Sequence, residues 1–337
     1  MALYCGIDLH ANNSVLAVMD DQDKALYEKR LPNDLSQIIG ALQPYQQDLA
    51  GCVVESTYNW YWLVDGLMDA GFPVHLAHTG AVPQYAGIKY TNDESDARHL
   101  AHLLRLGILP EGHIQPKAQR ALRDLLRRRL LLVRQKTLHH LSLQSLIARY
   151  TGQRLSANEI KQLDRDAIAE LLEEPIALGG QITCLARRWL EDAIEVLEHE
   201  IHKQLKPRLE YQLLTTVPGI GQALGSTIAL ETGDIGRFPG PGHYASYARC
   251  VKTEKISNNK LKGRGNAKNG NKYLAWAFME AAHYAAIWSP AIKRYYQRKQ
   301  ARSHILVAKK AVANKLARAC YYMLSRQEAF DVNRAFG

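Results

Sequence analysis

Short apolar runs separated by polar turns fill the first 80 residues, and after them the apolar positions recur at helical spacing. Residues 3–8 (LYCGID) and 52–55 (CVVE) are rich in Val, Ile, Tyr and Cys, so each predicts a buried strand with one acid at its C-terminal end. Residues 14–20 and 25–31 predict a second and third strand in a meander. Residues 34–45 and 59–70 predict two flanking helices, and residues 73–77 a fifth strand. The segment DARHLAHLLRLG, from Asp96, has the apolar spacing of a helix that opens at Asp93.

The middle of the chain predicts long helices. Residues 115–150 contain neither Gly nor Pro after Pro116, and Leu recurs at steps of three and four. Residues 182–209 repeat the pattern through Leu185, Trp189, Ala193, Val196 and Ile201. Between them, residues 156–172 predict a shorter helix with Ser156 and Glu159 as a capping box. Two long helices of this kind pair as a coiled coil with each other or with a second copy of the chain. The run Arg127-Arg128-Arg129 fits a nucleic-acid contact and a solvated helix face equally. After Pro207, LLTTVPGIGQALGSTIALE predicts a helix, a tight Gly turn and a second helix. No Lys follows Gly225, which excludes a P-loop. A helix-hairpin-helix-like element, with Gly219 and Gly221 bringing backbone N–H groups to a phosphate, competes there with a plain structural turn.

Four carboxylates give the first part of the chain its chemistry. Asp8 and Glu55 end strands, while Asp93 and Asp96 share one helix face at i, i+3. Singly, Asp8 reads as a turn former or helix cap, and Asp93 as an N-cap. The order strand-acid, strand-acid, helix-acid-acid is the layout of an α/β RNase H-like nuclease fold. Carboxylates brought together in this way repel one another, and a hard divalent cation, Mg²⁺ or Mn²⁺, relieves the repulsion. All four are therefore candidate metal ligands and catalytic groups.

Composition narrows the class. A chain of 337 residues is long enough for two or three domains. Five scattered cysteines form no CxxC pair, which argues for reduced thiols and against a zinc site or a disulfide framework. No apolar run is long enough to span a bilayer, so a soluble, cytoplasmic protein with no membrane partner is expected. Net charge is +10, yet residues 243–337 hold 19 Lys or Arg against four Asp or Glu, a net of +15 that leaves −5 for the preceding residues. An acidic half joined to a basic half suits a polyanionic substrate, held by one part and activated by the other.

The basic excess is densest between Arg249 and Lys272. There Arg249, Lys252, Lys255, Lys260, Lys262, Arg264, Lys268 and Lys272 are offset by Glu254 alone, among Gly and Asn-Gly turn signals. Flexible, basic, amide-rich sequence suits a loop that grips a phosphodiester, and all eight are candidate nucleic-acid contacts. Ser257 lies within this loop. Cations and an adjacent metal would stabilise its alkoxide and the charge of a pentavalent phosphorus transition state.

GIDLH, VVEST, TNDESDA followed by a helix, then TTVPGIG, and finally KISNNKLKGRGNAKNGNKYLAWAFMEAA together resemble the DEDD transposases of insertion-sequence family 110, closest to its 1111 subgroup. The likeness covers nearly the whole chain. It implies a RuvC-like nuclease domain at residues 1–114, a helical coiled-coil region at 115–209 and a mostly α-helical transposase domain at 210–337. It further implies recombination of donor and target DNA directed by a structured guide RNA. By motif, Asp8, Glu55, Asp93 and Asp96 correspond to the metal-binding tetrad and Ser257 to the nucleophile, in a homo-oligomer (dimer or tetramer) with composite sites. Where the subgroup has Ser-Asn-Gly, this chain has Ser257-Asn258-Asn259, and Asn tolerates the left-handed backbone such a turn needs. Two other readings fit the same residues: a hydrolytic junction-resolving nuclease with water as nucleophile, and a non-catalytic nucleic-acid-binding protein.

Overall fold

The computed structural model describes residues 1–82, 93–253, 255–263 and 269–337, without the side chains of residues 79, 255, 256 and 261. It divides into two compact units, Met1–Lys117 and Ala118–Gly337.

The first unit is a mixed α/β layer structure. Strands β1 (Leu3–Leu9), β2 (Asn13–Met19), β3 (Ala25–Pro32), β4 (Leu49–Glu55), β5 (Val74–Ala77) and β6 (Glu111–Gly112) form one sheet in the order β3-β2-β1-β4-β5-β6. β1, β2 and β3 are the expected antiparallel meander, whereas β4 runs parallel to β1 with Cys5 opposite Cys52 and Ile7 opposite Val54. β5 is parallel to β4, and β6 closes the sheet antiparallel. β1 is buried along nearly its whole length and β3, at the edge, is mostly not.

Strand alternation divides the side chains between two faces. Cys5, Ile7, Leu9, Cys52 and Val54 pack with Ile38, Leu42, Leu63, Val64 and Leu67 of helices α1 (Leu35–Leu42) and α2 (Tyr61–Asp69). The opposite face carries Val15, Ala17 and Val53, which meet Ala97 and Leu100 of helix α3 (Asp93–Arg105). Gly6, Asp8, Val53 and Glu55 share this second face by their even spacing. Gly6 makes the packing possible, because a Cβ there would stand 1.9 Å from the Ala97 carbonyl oxygen. Ion pairs fasten α3 to the edge of the sheet, with Arg98 on Glu28 and Arg105 on Asp23.

The second unit is mostly helical. Helix α4 (Lys117–Thr151) and helix α7 (Ile176–Leu205) run antiparallel, as their contacts show. Leu122 and Leu126 pack with Ile201 and Leu205, Arg129 pairs with Glu198, Lys136 with Glu191, and Leu143 and Ile147 pack near Ala177 and Cys184. The expected apolar stripe of α7 holds at its C-terminal end, where Ile201 is buried, and is out of phase before it. Leu185, Trp189 and Val196 are 46, 65 and 69 % exposed, while Cys184, Arg187, Leu190 and Ile194 are buried. Arg187 tolerates burial because it bonds the Glu191 carboxylate and the Lys161 carbonyl. The single helix expected at 156–172 is two, α5 (Ala157–Gln162) and α6 (Arg165–Leu171). Ser156 and Glu159 make the capping box, and Asp164 starts α6 by accepting from the Ala167 N–H.

The remaining helices, α8 (Leu209–Leu214), α9 (Gln222–Thr232), α10 (Pro241–Tyr247), α11 (Lys272–Trp288), α12 (Pro290–Gln300), α13 (Ile305–Arg326) and α14 (Val332–Phe336), surround one large core centred on Phe278, Tyr244, Leu316 and Cys320. Between α10 and α11 lies a two-stranded hairpin, β7 (Lys255–Ser257) and β8 (Lys260–Gly263). All five cysteines are buried and free, and no described helix is long and apolar enough to cross a membrane.

Candidate active site and nucleic-acid contacts

Asp8 is the last even residue of buried β1 and is 3 % exposed. Parallel pairing of β1 with β4 puts Glu55 beside it, close enough for the two carboxyl groups to share a hydrogen bond. α3 crosses the same face through Gly6, and its first turn carries Asp93 and Asp96. All four predicted carboxylates therefore converge. Burial, with the bond and charge of Asp8 and the charge of Asp96, pushes the Glu55 carboxyl up to about 8. Burial and the charges of Asp8 and Asp93 raise Asp96 as well. Asp93 moves the other way, held below the usual carboxylate range chiefly by its bond to Arg30 and further by His10.

Two participants were not anticipated. His10 places Nε2 3.1 Å from Asp8 Oδ2 and 3.2 Å from Asp93 Oδ2. Its carbonyl is held by the side-chain amides of Asn33 and Asn59 at 3.0 and 3.1 Å. Asp8, His10 and Asp93 offer ligand atoms that all lie within 4.8 Å of one another. His10 was legible in principle, since it lies two residues beyond Asp8, on the same side of an alternating strand. Arg30, 2.5 Å from Asp93 Oδ2, had no such signal.

The cluster fits a divalent cation. Burial first, and then the bond to Asp8 and the charges of Asp8 and Asp96, push Glu55 up; acids crowded in this way are short of positive charge, and oxygen donors with one adjacent imidazole suit a hard divalent cation.

Ser257 is exposed at the end of β7, directly opposite Lys260. The two residues between them, Asn258 and Asn259, have φ of 54° and 57°. Positive φ at both central positions is the signature of a tight two-residue hairpin, so the Asn-Asn pair sustains the turn. Lys252, Lys260, Lys262 and Lys272 are exposed. Arg264, Lys268 and the side chain of Lys255 lie outside the described residues. Arg249 is engaged internally, donating Nε and Nη2 to the Gly270 carbonyl at 3.0 and 2.7 Å.

The C-terminal end of the loop is tied down by a buried network. Asn271 caps α11, accepting from the Tyr273 and Leu274 N–H groups, and its own amide donates to Glu231 Oε2 at 2.7 Å. The Glu231 side chain is fully buried and takes a two-pronged bond from Arg127 at 2.7 and 2.8 Å. Arg127 also stacks over the Tyr273 ring. Of the three consecutive arginines, Arg127 and Arg129 thus serve the fold through Glu231 and Glu198, and only Arg128 is exposed. Tyr295 packs on Phe336 under Lys315.

Gly219 has φ of 87° and sits where a Cβ would be 2.4 Å from the Ala285 N, so the turn between α8 and α9 lies flush on α11. Gly221 starts α9 with no side-chain cap. Both glycines line an open cavity of about 630 Å³ bordered by Tyr284 and Trp288.

Two family models match separate parts of the chain. A transposase family model of the IS110 DEDD type matches residues 5–151, and the model of the transposase IS116/IS110/IS902 family matches residues 211–297. The chain is 23 % identical to the transposase of insertion sequence IS1111A from Coxiella burnetii, over 96 % of this chain and 90 % of that protein. It is 24 % identical to the transposase of IS1328 from Yersinia enterocolitica, over 97 % and 98 %. A more local likeness, 32 % identity over 106 residues, links it to the uncharacterized 43.6 kDa protein of insertion element IS110 from Streptomyces coelicolor, of which the match spans 26 %.

Proposed function

The chain belongs to the IS110 family of insertion-sequence transposases, and we propose that it cuts and rejoins DNA strands through a serine nucleophile assisted by divalent metal at an RNase H-like carboxylate site. The observation that carries this reading is the convergence of Asp8, Glu55, Asp93 and Asp96 on one face of a sheet ordered β3-β2-β1-β4-β5, beneath α3. A bound Mg²⁺ or Mn²⁺ would supply Lewis-acid neutralisation of the scissile phosphate. Asp8, Glu55, Asp93 and Asp96 would hold that ion through their carboxylate oxygens.

In the proposed reaction the Ser257 Oγ–P bond forms as the bond from phosphorus to the adjoining sugar oxygen breaks. The departing oxygen takes up the proton that the serine gives up, leaving a free hydroxyl end. Attack by an incoming strand's hydroxyl reverses these steps on a new partner and regenerates the serine. Phosphodiester energy is conserved throughout. The exposed lysines Lys252, Lys260 and Lys262 beside Ser257 hold backbone phosphates, and the bare start of α9 at Gly221 offers further N–H groups. Guidance by a structured RNA, assembly of two or four copies, and the finer placement in the 1111 subgroup rest on the motif resemblance.

The test is to incubate the protein with RNA transcribed from the DNA flanking its gene, Mg²⁺ and a DNA target whose cut ends cannot be rejoined. A protein–DNA adduct that survives denaturant, with peptide mapping to KISNNK, is expected. Cleavage that yields only free ends would transfer the reaction to water.

A further inference from the structure

The Asp93 oxygen that faces the carboxylate cluster is already occupied by a positive charge. Arg30, on edge strand β3, places Nη2 2.5 Å from Asp93 Oδ2, the same oxygen that stands 3.2 Å from His10 Nε2. Its Nη1 donates to Asn13 Oδ1 at 3.0 Å, which aims the guanidinium. The other ion pairs that bind α3 to the sheet edge, Arg98 on Glu28 and Arg105 on Asp23, use acids outside the cluster. Among the described lysines and arginines, only Arg30 pairs with a candidate metal ligand. The pair is also accessible, with the two side chains 54 and 37 % exposed, so water can replace either partner at little cost.

We propose that Arg30 is an exchangeable counter-ion of the carboxylate cluster: it holds Asp93 until a divalent cation arrives, and it competes with that cation for Asp93 Oδ2. The proposal rests on the metal-binding reading of the cluster. The arrangement keeps part of the cluster's charge neutralised in the metal-free protein and makes occupation of the Asp93 side a displacement. A purely structural role, in which Arg30 positions Asp93 for the ion, has the opposite sign. Removing a competitor tightens binding, whereas removing a support weakens it.

The experiment is a Mn²⁺ titration of the full-length protein, reading free ion by electron paramagnetic resonance, with circular dichroism to verify the fold. Arg30→Gln should bind Mn²⁺ roughly three- to tenfold more tightly than wild type, as expected for loss of one directly competing charge, and Arg30→Lys should lie between them. Arg30→Met, which keeps the aliphatic stem, reads the same effect if Gln disturbs β3. Arg98→Gln removes an equal charge further along α3 and should change affinity less than about twofold. Unchanged or weaker binding by both Arg30→Gln and Arg30→Met overturns the proposal, and so does equal tightening by Arg98→Gln, which would reduce the effect to the general field. If wild-type binding instead survives Asp8→Asn and Asp96→Asn, the metal reading itself fails.

Discussion

Gly6 and Ala97 meet backbone to backbone, and their contact sets the distance between the strand that carries Asp8 and the helix that carries Asp93 and Asp96. A Cβ at Gly6 has nowhere to go, since the obstacle 1.9 Å away is a carbonyl oxygen of a helix rather than the tip of a side chain. Gly6→Ala is expected to destabilise the first unit by at least about 2 kcal/mol, as overpacking against rigid neighbours does. Denaturant unfolding measures that loss. Mn²⁺ affinity should fall with it, because α3 must lift away from Asp8. A Gly6→Ala protein with wild-type stability and metal affinity would show that α3 is not seated by this contact.

Asp8 is buried among acids, an arrangement the proposed metal role explains and the metal-free fold does not require. Asp8→Asn should abolish Mg²⁺-dependent strand cleavage while leaving metal-free stability unchanged or raised, since it removes a buried acid from a cluster that already holds Glu55, Asp93 and Asp96. The two readouts, a cleavage gel and a melting curve, move in opposite directions only if the carboxylates are there for a metal. Cleavage near the wild-type level would remove Asp8 from the site.

Glu55 gives the carboxylate cluster a pH dependence of definite sign. Its folded value of about 8 lies above its ordinary value of 4.5, so the metal-free folded state retains a proton that the unfolded chain has lost. The stabilisation from this group is complete below about 4.5 and is lost as pH rises towards 8. Metal binding below pH 8 must expel the proton, so Mn²⁺ affinity should climb by up to tenfold per pH unit and level off above 8. Calorimetry in buffers of different ionisation enthalpy should detect release of close to one proton at pH 7, and Glu55→Gln should abolish it.

Much of this was legible in the sequence because strand alternation and acid position are local properties. The runs LYCGID and CVVE defined two strands, and the even spacing of Gly6 and Asp8 is readable once a strand is assumed. The phase of α7 was not legible. Leu185, Trp189 and Val196 form as good an apolar stripe as the buried set, and the buried set includes Arg187, whose burial depends on Glu191 and on a carbonyl from another helix. The partners of Arg30 and Arg127 were likewise invisible, since Asp93 lies 63 residues from the first and Glu231 lies 104 from the second. A basic run in a sequence does not say which of its members are already neutralised.

Glu231 should prove as important as any exposed lysine to the serine-bearing loop. It is fully buried, and removing it takes away the two-pronged bond from Arg127 and the acceptor of the Asn271 amide that orients the cap. Glu231→Ala should cost about 3–5 kcal/mol in unfolding, the range for breaking a buried pair from one side. Glu231→Gln keeps the bond to Asn271 and should retain more stability than Ala. Proteolysis of the native protein should then cut within residues 252–271 faster in Glu231→Ala than in wild type, and equal rates would show that this network does not restrain the loop.

Ser257 separates covalent from hydrolytic cleavage. If its Oγ attacks phosphorus, Ser257→Ala should lose cleavage and joining together, because nothing else forms the first bond. If it merely touches a phosphate, the loss should be about 1–3 kcal/mol, roughly five- to 150-fold. Asn258 and Asn259, not Ser257, carry the strained left-handed backbone, so the alanine variant keeps the hairpin and the comparison is clean. Single-turnover cleavage in Mg²⁺ resolves the two outcomes, and Ser257→Cys sharpens them, since a thiolate can form a phosphorothiolate adduct while an idle side chain would leave free ends. Residual cleavage by Ser257→Ala within the smaller range, with no adduct from wild type, would assign the carboxylate cluster to a water-dependent nuclease.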